Sequence, residues 1–207
     1  MDHYHQRELK PDTVWKTYST KVTYQGYIRK WIMPRWGRYL LFQVSAGEVE
    51  QWLRSLPLAR SSCAKIRNIM SVLFNHGMRH ELCNRNPIRF VRQGAKRRNI
   101  PRVLSVSEIQ RLIAELAFRE RILVELDVGT GLRMSELFAL KWSDVDFQTN
   151  EISVTRSIVM QVVGPCKTEA SQKPVPLDPY LAEILQAWRR CARYCAPDDW
   201  VFANPNN

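Results

Sequence analysis

Apolar residues return every three or four positions along most of this chain, the spacing of helices that bury one face. Trp15, Tyr18 and Val22 begin one such face, Tyr24, Ile28 and Trp31 continue it loosely, and Pro34 is expected to stop it. Ser45 followed by Glu48 spells a capping box. Behind it Val49, Trp52, Leu53 and Leu56 share a face, and Pro57 ends the helix. Ser61 or Ser62 opens a third helix, striped by Ile66, Ile69, Met70, Leu73 and Phe74, and Asn86-Pro87 closes the bundle. Residues 13–90 thus read as one helical domain whose apolar stripes are core and carry no chemistry.

The pattern changes between Arg89 and Arg102. Arg92, Lys96, Arg97 and Arg98 crowd a stretch that also holds Gly94 and Pro101 and few apolar residues, so 91–102 reads as a basic linker. A second domain, 103–207, opens with a helix capped by Ser105 or Ser107 and bearing Ile109, Leu112, Ile113 and Leu116. Another helix runs from about Arg119 to Val128, and Gly129 to Gly131 breaks it before a short helix. A small antiparallel sheet is expected from Glu151 to Val175, with a turn at Gly164-Pro165. The last helix carries Leu181, Ile184, Leu185 and Trp188, and Trp200-Val201-Phe202 forms a short apolar anchor. The fold class is therefore mainly α with a small antiparallel β-sheet.

Charge sharpens this division. The 207 residues carry a formal net charge of +11. Residues 1–100 hold 19 Lys/Arg against 6 Asp/Glu, a net of +13, while residues 101–207 hold 12 against 14, a net of −2. An excess confined to one half is the footprint of a module that grips phosphates. The first residues form no signal-peptide-like stretch, and no apolar run approaches a membrane span. Five cysteines scattered at 63, 83, 166, 191 and 195 argue against a disulfide framework and for a reducing, cytoplasmic setting. Cys191 and Cys195 lack a nearby histidine or third cysteine, and no metal site is expected.

Arg133 then stands out. Residues 130–137, Thr-Gly-Leu-Arg-Met-Ser-Glu-Leu, put an arginine in the first turn of a short amphipathic helix, where positive partial charge already gathers. A cation there points to an anion that both it and the helix end hold, and a phosphate fits. Glu136, three residues on, lies on the same face and can orient the guanidinium. The same eight residues also read as an ordinary Arg–Glu surface pair. The longer context decides the direction. TGLRMSELFALKWSDVDF (130–147) followed by KTEASQKPVPL (167–177) resembles the tyrosine recombinases, the phage-integrase family of site-specific DNA recombinases.

The resemblance implies an N-terminal helical core-binding (SAM-like) domain and the first half of an α+β catalytic domain. In that family a tyrosine attacks a backbone phosphate without metal or other cofactor, and paired arginine donors hold the charged oxygens of the transition state. By resemblance Arg133 is the first of those arginines and Glu136 the acidic residue that supports it. Lys167 stands where the family places a hairpin lysine that protonates the leaving 5′-oxygen. Lys65, Arg67, Lys96, Arg97, Arg98 and Lys173 are the residues expected on DNA. The implied partners are double-stranded DNA and other recombinase protomers, in a prokaryotic or phage-derived setting. His76-Gly77-Met78-Arg79 spells His-x-x-Arg upstream of Arg133, on the wrong helix, and all four histidines (3, 5, 76 and 80) precede residue 101. Tyr180 and Tyr194 do not match the nucleophile position. The family's His-x-x-Arg and tyrosine are thus expected to be missing, which makes a truncated protein, inactive alone. The alternative is a non-catalytic DNA-binding protein or repressor that occupies recombination sites.

Overall fold

The computed structural model describes residues 2–10, 17–94, 101–166 and 173–204. The chain divides into two compact units, Met1–Pro101 and Arg102–Asn207. Trp15, the linker residues Lys96, Arg97 and Arg98, and Lys167 lie outside the described residues.

In the first unit a helical turn, α1 (Asp2–Tyr4), runs into a π-turn over His5–Leu9. α2 (Tyr18–Tyr27) leads through a second π-turn, Ile28–Ile32, into α3 (Met33–Trp36). Pro34 therefore does not stop the helix as its sequence position suggested. Met33 N–H reaches back to the Ile28 carbonyl, so a widened turn precedes the proline and accommodates its missing donor. The continuation buries Trp36 beside Ile32. α4 (Ala46–Ser55) is capped by Ser45, but the carboxylate of the expected capping box takes the hydroxyl rather than the Ser45 N–H: the Ser45 hydroxyl accepts the Glu48 N–H and donates to the Glu48 carboxylate at 2.7 Å. It buries Val49 and Leu53.

α5 (Arg60–Arg79) is the long helix of this unit. Neither Ser61 nor Ser62 caps it. The Ala59 carbonyl accepts the N–H groups of Ser62 and Cys63 at 2.9 and 3.1 Å, so the helix begins earlier than the serines predict. Ile66, Ile69, Met70 and Phe74 do face the core, each worth roughly 1.5–3 kcal/mol on burial. Asn86 fastens the exit: its amide donates to the Ser71 carbonyl and Asn75 Oδ1, while its Oδ1 accepts Ile88 N–H at 3.0 Å.

The second unit opens with α6 (Val106–Glu115), whose Ser105 and Glu108 form a reciprocal capping box. The apolar stripe of this helix is only half covered: among the described residues α6 buries nothing fully, Ile109, Ile113 and Leu116 are half-buried, and Leu112 is 42% exposed. α7 (Phe118–Thr130) buries Ile122 and Leu126 and ends at Gly131. There φ is +65°, the left-handed conformation that glycine adopts without strain. α8 (Met134–Leu137) follows at once.

The single small sheet predicted from 151 to 175 is two sheets. β1 (Val145–Asp146), β2 (Glu151–Ile152) and β5 (Val175–Pro176) pair antiparallel in the order β1-β2-β5, with Val145 opposite Ile152 and Ile152 opposite Val175. β3 (Arg156–Val159) and β4 (Val162–Pro165) form a separate hairpin. Its turn lies at Met160-Gln161, both at positive φ as a two-residue hairpin loop requires, and Gly164-Pro165 belong to the strand instead. α9 (Pro179–Cys191) is capped by Asp178 and buries Leu181 and Leu185 against Ile122, Leu126, Trp142 and Ile152. Val201 and Phe202 join this core, and Trp188 Nε1 donates to the Val201 carbonyl at 2.8 Å. Among the described residues no helix is long and apolar enough to cross a membrane.

Candidate functional site

Arg133 is set by what surrounds it in sequence. Gly131 turns the chain out of α7, buried Leu132 anchors it, and Arg133 itself is extended (φ −69°, ψ 146°) at the N-cap of α8. Its carbonyl accepts the N–H groups of Glu136 and Leu137 at 2.8 and 2.9 Å, which starts α8. The Glu136 carboxylate then takes hold of Arg133 twice. One oxygen accepts its backbone N–H at 3.0 Å and the other its Nη1 at 2.9 Å. The carboxylate side chain is 3% exposed and that of Arg133 50%. A buried acid thus aims a half-exposed guanidinium. In the surface pair that the sequence left open, both ends would be solvated.

The hairpin comes to the same place. Arg156 on β3 donates to the Ala139 carbonyl at 3.3 Å and to buried Asp144, which also accepts Lys141 N–H at 2.8 Å. Cys166, just past β4, donates to the Val154 carbonyl and is held near this group. Burial and the Glu136 charge push its thiol up, while Arg133 and Arg156 pull it down. The residue next in sequence to Cys166 is Lys167, whose own placement lies outside the described residues. Lys173 is exposed, two residues before β5.

The other residues singled out in the sequence do not gather so closely. Lys65 and Arg67 both lie on α5 but are two positions apart and so point in different directions. Lys65 is exposed, with Nζ 5.9 Å from the Tyr27 ring, and Arg67 donates to Asn68 Oδ1. The Tyr180 hydroxyl is tied to Arg121 and Glu125. Tyr194 offers its carbonyl to Trp142 Nε1. The Asp144–Arg156 pair leaves no local signal in the sequence, because its members are twelve residues apart and are brought together by the antiparallel return of β1 and β2. Also outside the residues singled out in the sequence is Arg35, stacked on Trp36 and hydrogen-bonded to the Tyr39 hydroxyl at 2.6 Å, a cation–aromatic group on the basic unit.

The chain is 28% identical over 178 residues to the integrase of Mycobacterium phage L5, covering 81% of this chain and 47% of that one. It is 30% identical over 142 residues to the tyrosine recombinase XerC of Xanthomonas campestris pv. campestris, 66% of this chain and 38% of that one. It therefore spans less than half the length of either relative. The fold matches the Tn1549 transposon integrase solved in complex with a circular intermediate DNA, at a TM-score of 0.78 and 16% identity, over 93% of this chain and 68% of that one. Residues 98–207, the stretch that holds Arg133, Glu136 and the β3–β4 hairpin, match the phage integrase family. The chain accordingly belongs to that family, the tyrosine recombinases.

Proposed function

We propose that this chain grips duplex DNA and holds one backbone phosphate for site-specific strand exchange. In this reading the basic first unit and its linker neutralise phosphates without regard to sequence, Lys65, Arg67, Lys96, Arg97 and Arg98 among them. Arg133 then faces the reacting phosphate, where its planar donors meet the oxygens on which charge accumulates. Glu136 acts as a positioning residue through Arg133. Lys167 supplies the proton for the leaving 5′-oxygen, and Lys173 meets a neighbouring phosphate. No metal or cofactor enters these roles. The attacking tyrosine is not assigned to any residue of this chain, so the reading gives these 207 residues the phosphate-holding part of the reaction. Further protomers join on the DNA.

One observation carries the reading: a carboxylate almost out of reach of water grips an arginine that is half exposed. Arrangement ahead of ligand is what electrostatic catalysis on a phosphate requires. Support from the relatives is twofold: the integrase and recombinase names they bear, and the DNA complex in which the Tn1549 integrase was solved.

The test is fluorescence anisotropy of a labelled duplex across a salt series. The logarithm of the binding constant should fall linearly with that of salt, at about −0.9 per neutralised phosphate. Arg133→Ala should flatten the slope by about one phosphate, and Arg133→Lys should restore it. Binding that ignores salt, or a slope indifferent to Arg133→Ala, overturns the proposal.

A further inference from the structure

The histidines that the recombinase reading leaves unused are drawn together by the fold. His76 and His80 stand one turn apart at the C-terminal end of α5, and His3 arrives from α1. One ligand-capable atom from each lies within 4.8 Å of the others. His3 Nδ1 is 2.9 Å from His76 Nε2, and the ring centres of His76 and His80 are 4.4 Å apart. On the opposite edge of the His76 ring, Nδ1 faces Glu8 Oε1 at 3.3 Å. His76 is 4% exposed.

We infer that His3, His76 and His80 bind a divalent transition-metal ion of zinc's class, with Glu8 as the outer carboxylate that orients His76, and that the ion clasps Asp2–Leu9 onto the end of α5. Three features support this. Two histidines at i and i+4 on one helix face are a familiar zinc-ligand spacing. A carboxylate on Nδ1 leaves Nε2 with the lone pair a metal needs, and Nε2 is the atom turned toward His3. The end of a helix favours positive charge.

Admitting the ion opens one separation and closes another: the ligand atoms stand within 4.8 Å of one another, so the widest spacing closes by about 1.5 Å as the His80 ring swings in. With zinc–nitrogen bonds of about 2.0–2.1 Å, ligand nitrogens in a tetrahedral site stand roughly 3.3 Å apart. His3 and His76 need to part by a few tenths of an ångström to admit the ion. Arg7 and Arg79 act against a cation at His80, and Glu8, 3.8 Å from Arg79, offsets part of that. The clasp is independent of Arg133 and lies within the unit that carries the basic excess.

The experiment uses the full chain, stripped with chelator and titrated with Co2+, then with Zn2+ by calorimetry. One ion should bind, with the visible absorption of tetrahedral cobalt and a dissociation constant on the order of micromolar. Because His76 is buried, the informative variants are at the more exposed positions. His3→Ala and His80→Ala should each weaken binding at least tenfold, and Glu8→Gln by about 10–100-fold. His5→Ala, on the same segment and outside the cluster, should bind as the parent does. Zn2+ should raise the melting temperature of the parent and of His5→Ala, and leave His80→Ala unchanged. Binding weaker than about 1 mM overturns the inference. So does a His80→Ala variant that binds like the parent, because the ion would then not be held by the three histidines together.

Discussion

Exchanging Glu136 and Arg133 singly and together tests whether the pair is a built site or a solvated contact. Glu136→Gln keeps the shape and one acceptor, but it turns an amide N–H toward a donor. A buried donor or acceptor left without a partner costs about 1–3 kcal/mol. The guanidinium it releases is half exposed and rehydrates, so the lower half of that range applies. Arg133→Ala is the harsher change, since it strands a carboxylate of 3% exposure that retains the backbone N–H at 3.0 Å. Breaking a fully buried ion pair costs about 3–5 kcal/mol, and discounting for the exposed partner leaves roughly 2–3. Removing both should then be milder than Arg133→Ala alone, because a neutral amide strands no charge. In a unit of this size each kcal/mol moves the melting midpoint by about 4–8 °C. Urea unfolding of all four proteins gives the coupling directly. If both single variants lie within about 0.5 kcal/mol of the parent, the pair is an ordinary surface contact and the case for a pre-aimed arginine fails.

Three further outcomes follow from the same structure. Gly131→Ala should cost about 1 kcal/mol in thermal unfolding, because φ is +65° and nothing within 4 Å obstructs a Cβ, with Gly131→Asn less harmful. A Gly131→Ala protein as stable as the parent would refute that turn. The Glu108 carboxyl is held below its usual value of 4.5, first by the backbone N–H of Ser105, then by its hydroxyl and by Arg102. A depressed carboxyl stabilises above that value and loses the effect as pH falls through its folded value. Ser105→Ala removes the hydroxyl but keeps the backbone N–H, so it should flatten the stability profile below pH 4.5 in part and leave it parallel to the parent's above, as circular dichroism against pH would show. Reversing charge at Lys96, Arg97 and Arg98 should weaken duplex binding and flatten its salt dependence by up to three phosphates. Unchanged anisotropy curves would remove the linker from the DNA surface.

What could be read from sequence was what neighbouring residues decide among themselves. Ser45 with Glu48, Ser105 with Glu108, and Arg133 with Glu136 are each three positions apart, and each pair is made as its spacing suggests. The failures share a different origin. Pro34 looks like a stop in sequence because the widened turn ahead of it leaves no mark in the residue types. The Met160-Gln161 turn has neither glycine nor asparagine, so Gly164-Pro165 drew the assignment instead. Leu112 has the periodicity of a core residue and yet is exposed, since periodicity reports a helix's apolar face and not what covers it. Asp144 with Arg156 and His3 with His76 are tertiary pairs, twelve and 73 positions apart, and no local rule joins them.

The division of charge bears on how binding and chemistry are shared. In the near-neutral second unit six of the described cations are matched to acids: Arg102 to Glu108, Arg119 to Glu120, Arg121 to Glu125, Arg133 to Glu136, Lys141 to Asp198 and Arg156 to Asp144. Such a unit exerts little attraction beyond the Debye length, about 8 Å at physiological salt, so a phosphate there responds only to groups beside it. In the proposed function, gathering the duplex would then fall to the unit with +13, where many interchangeable cations serve and none needs a fixed orientation. Holding one phosphate is the opposite task. Fixing a long side chain costs up to about 2 kcal/mol of rotamer entropy, and Glu136 makes Arg133 meet that cost on folding instead of on contact with DNA. The two contributions should therefore add. Linker reversal should set most of the equilibrium affinity and slope, and Arg133→Ala should subtract its one phosphate equally from parent and linker-reversed proteins. A loss at Arg133 that depends on the linker would mean that both sets of cations hold the same phosphate.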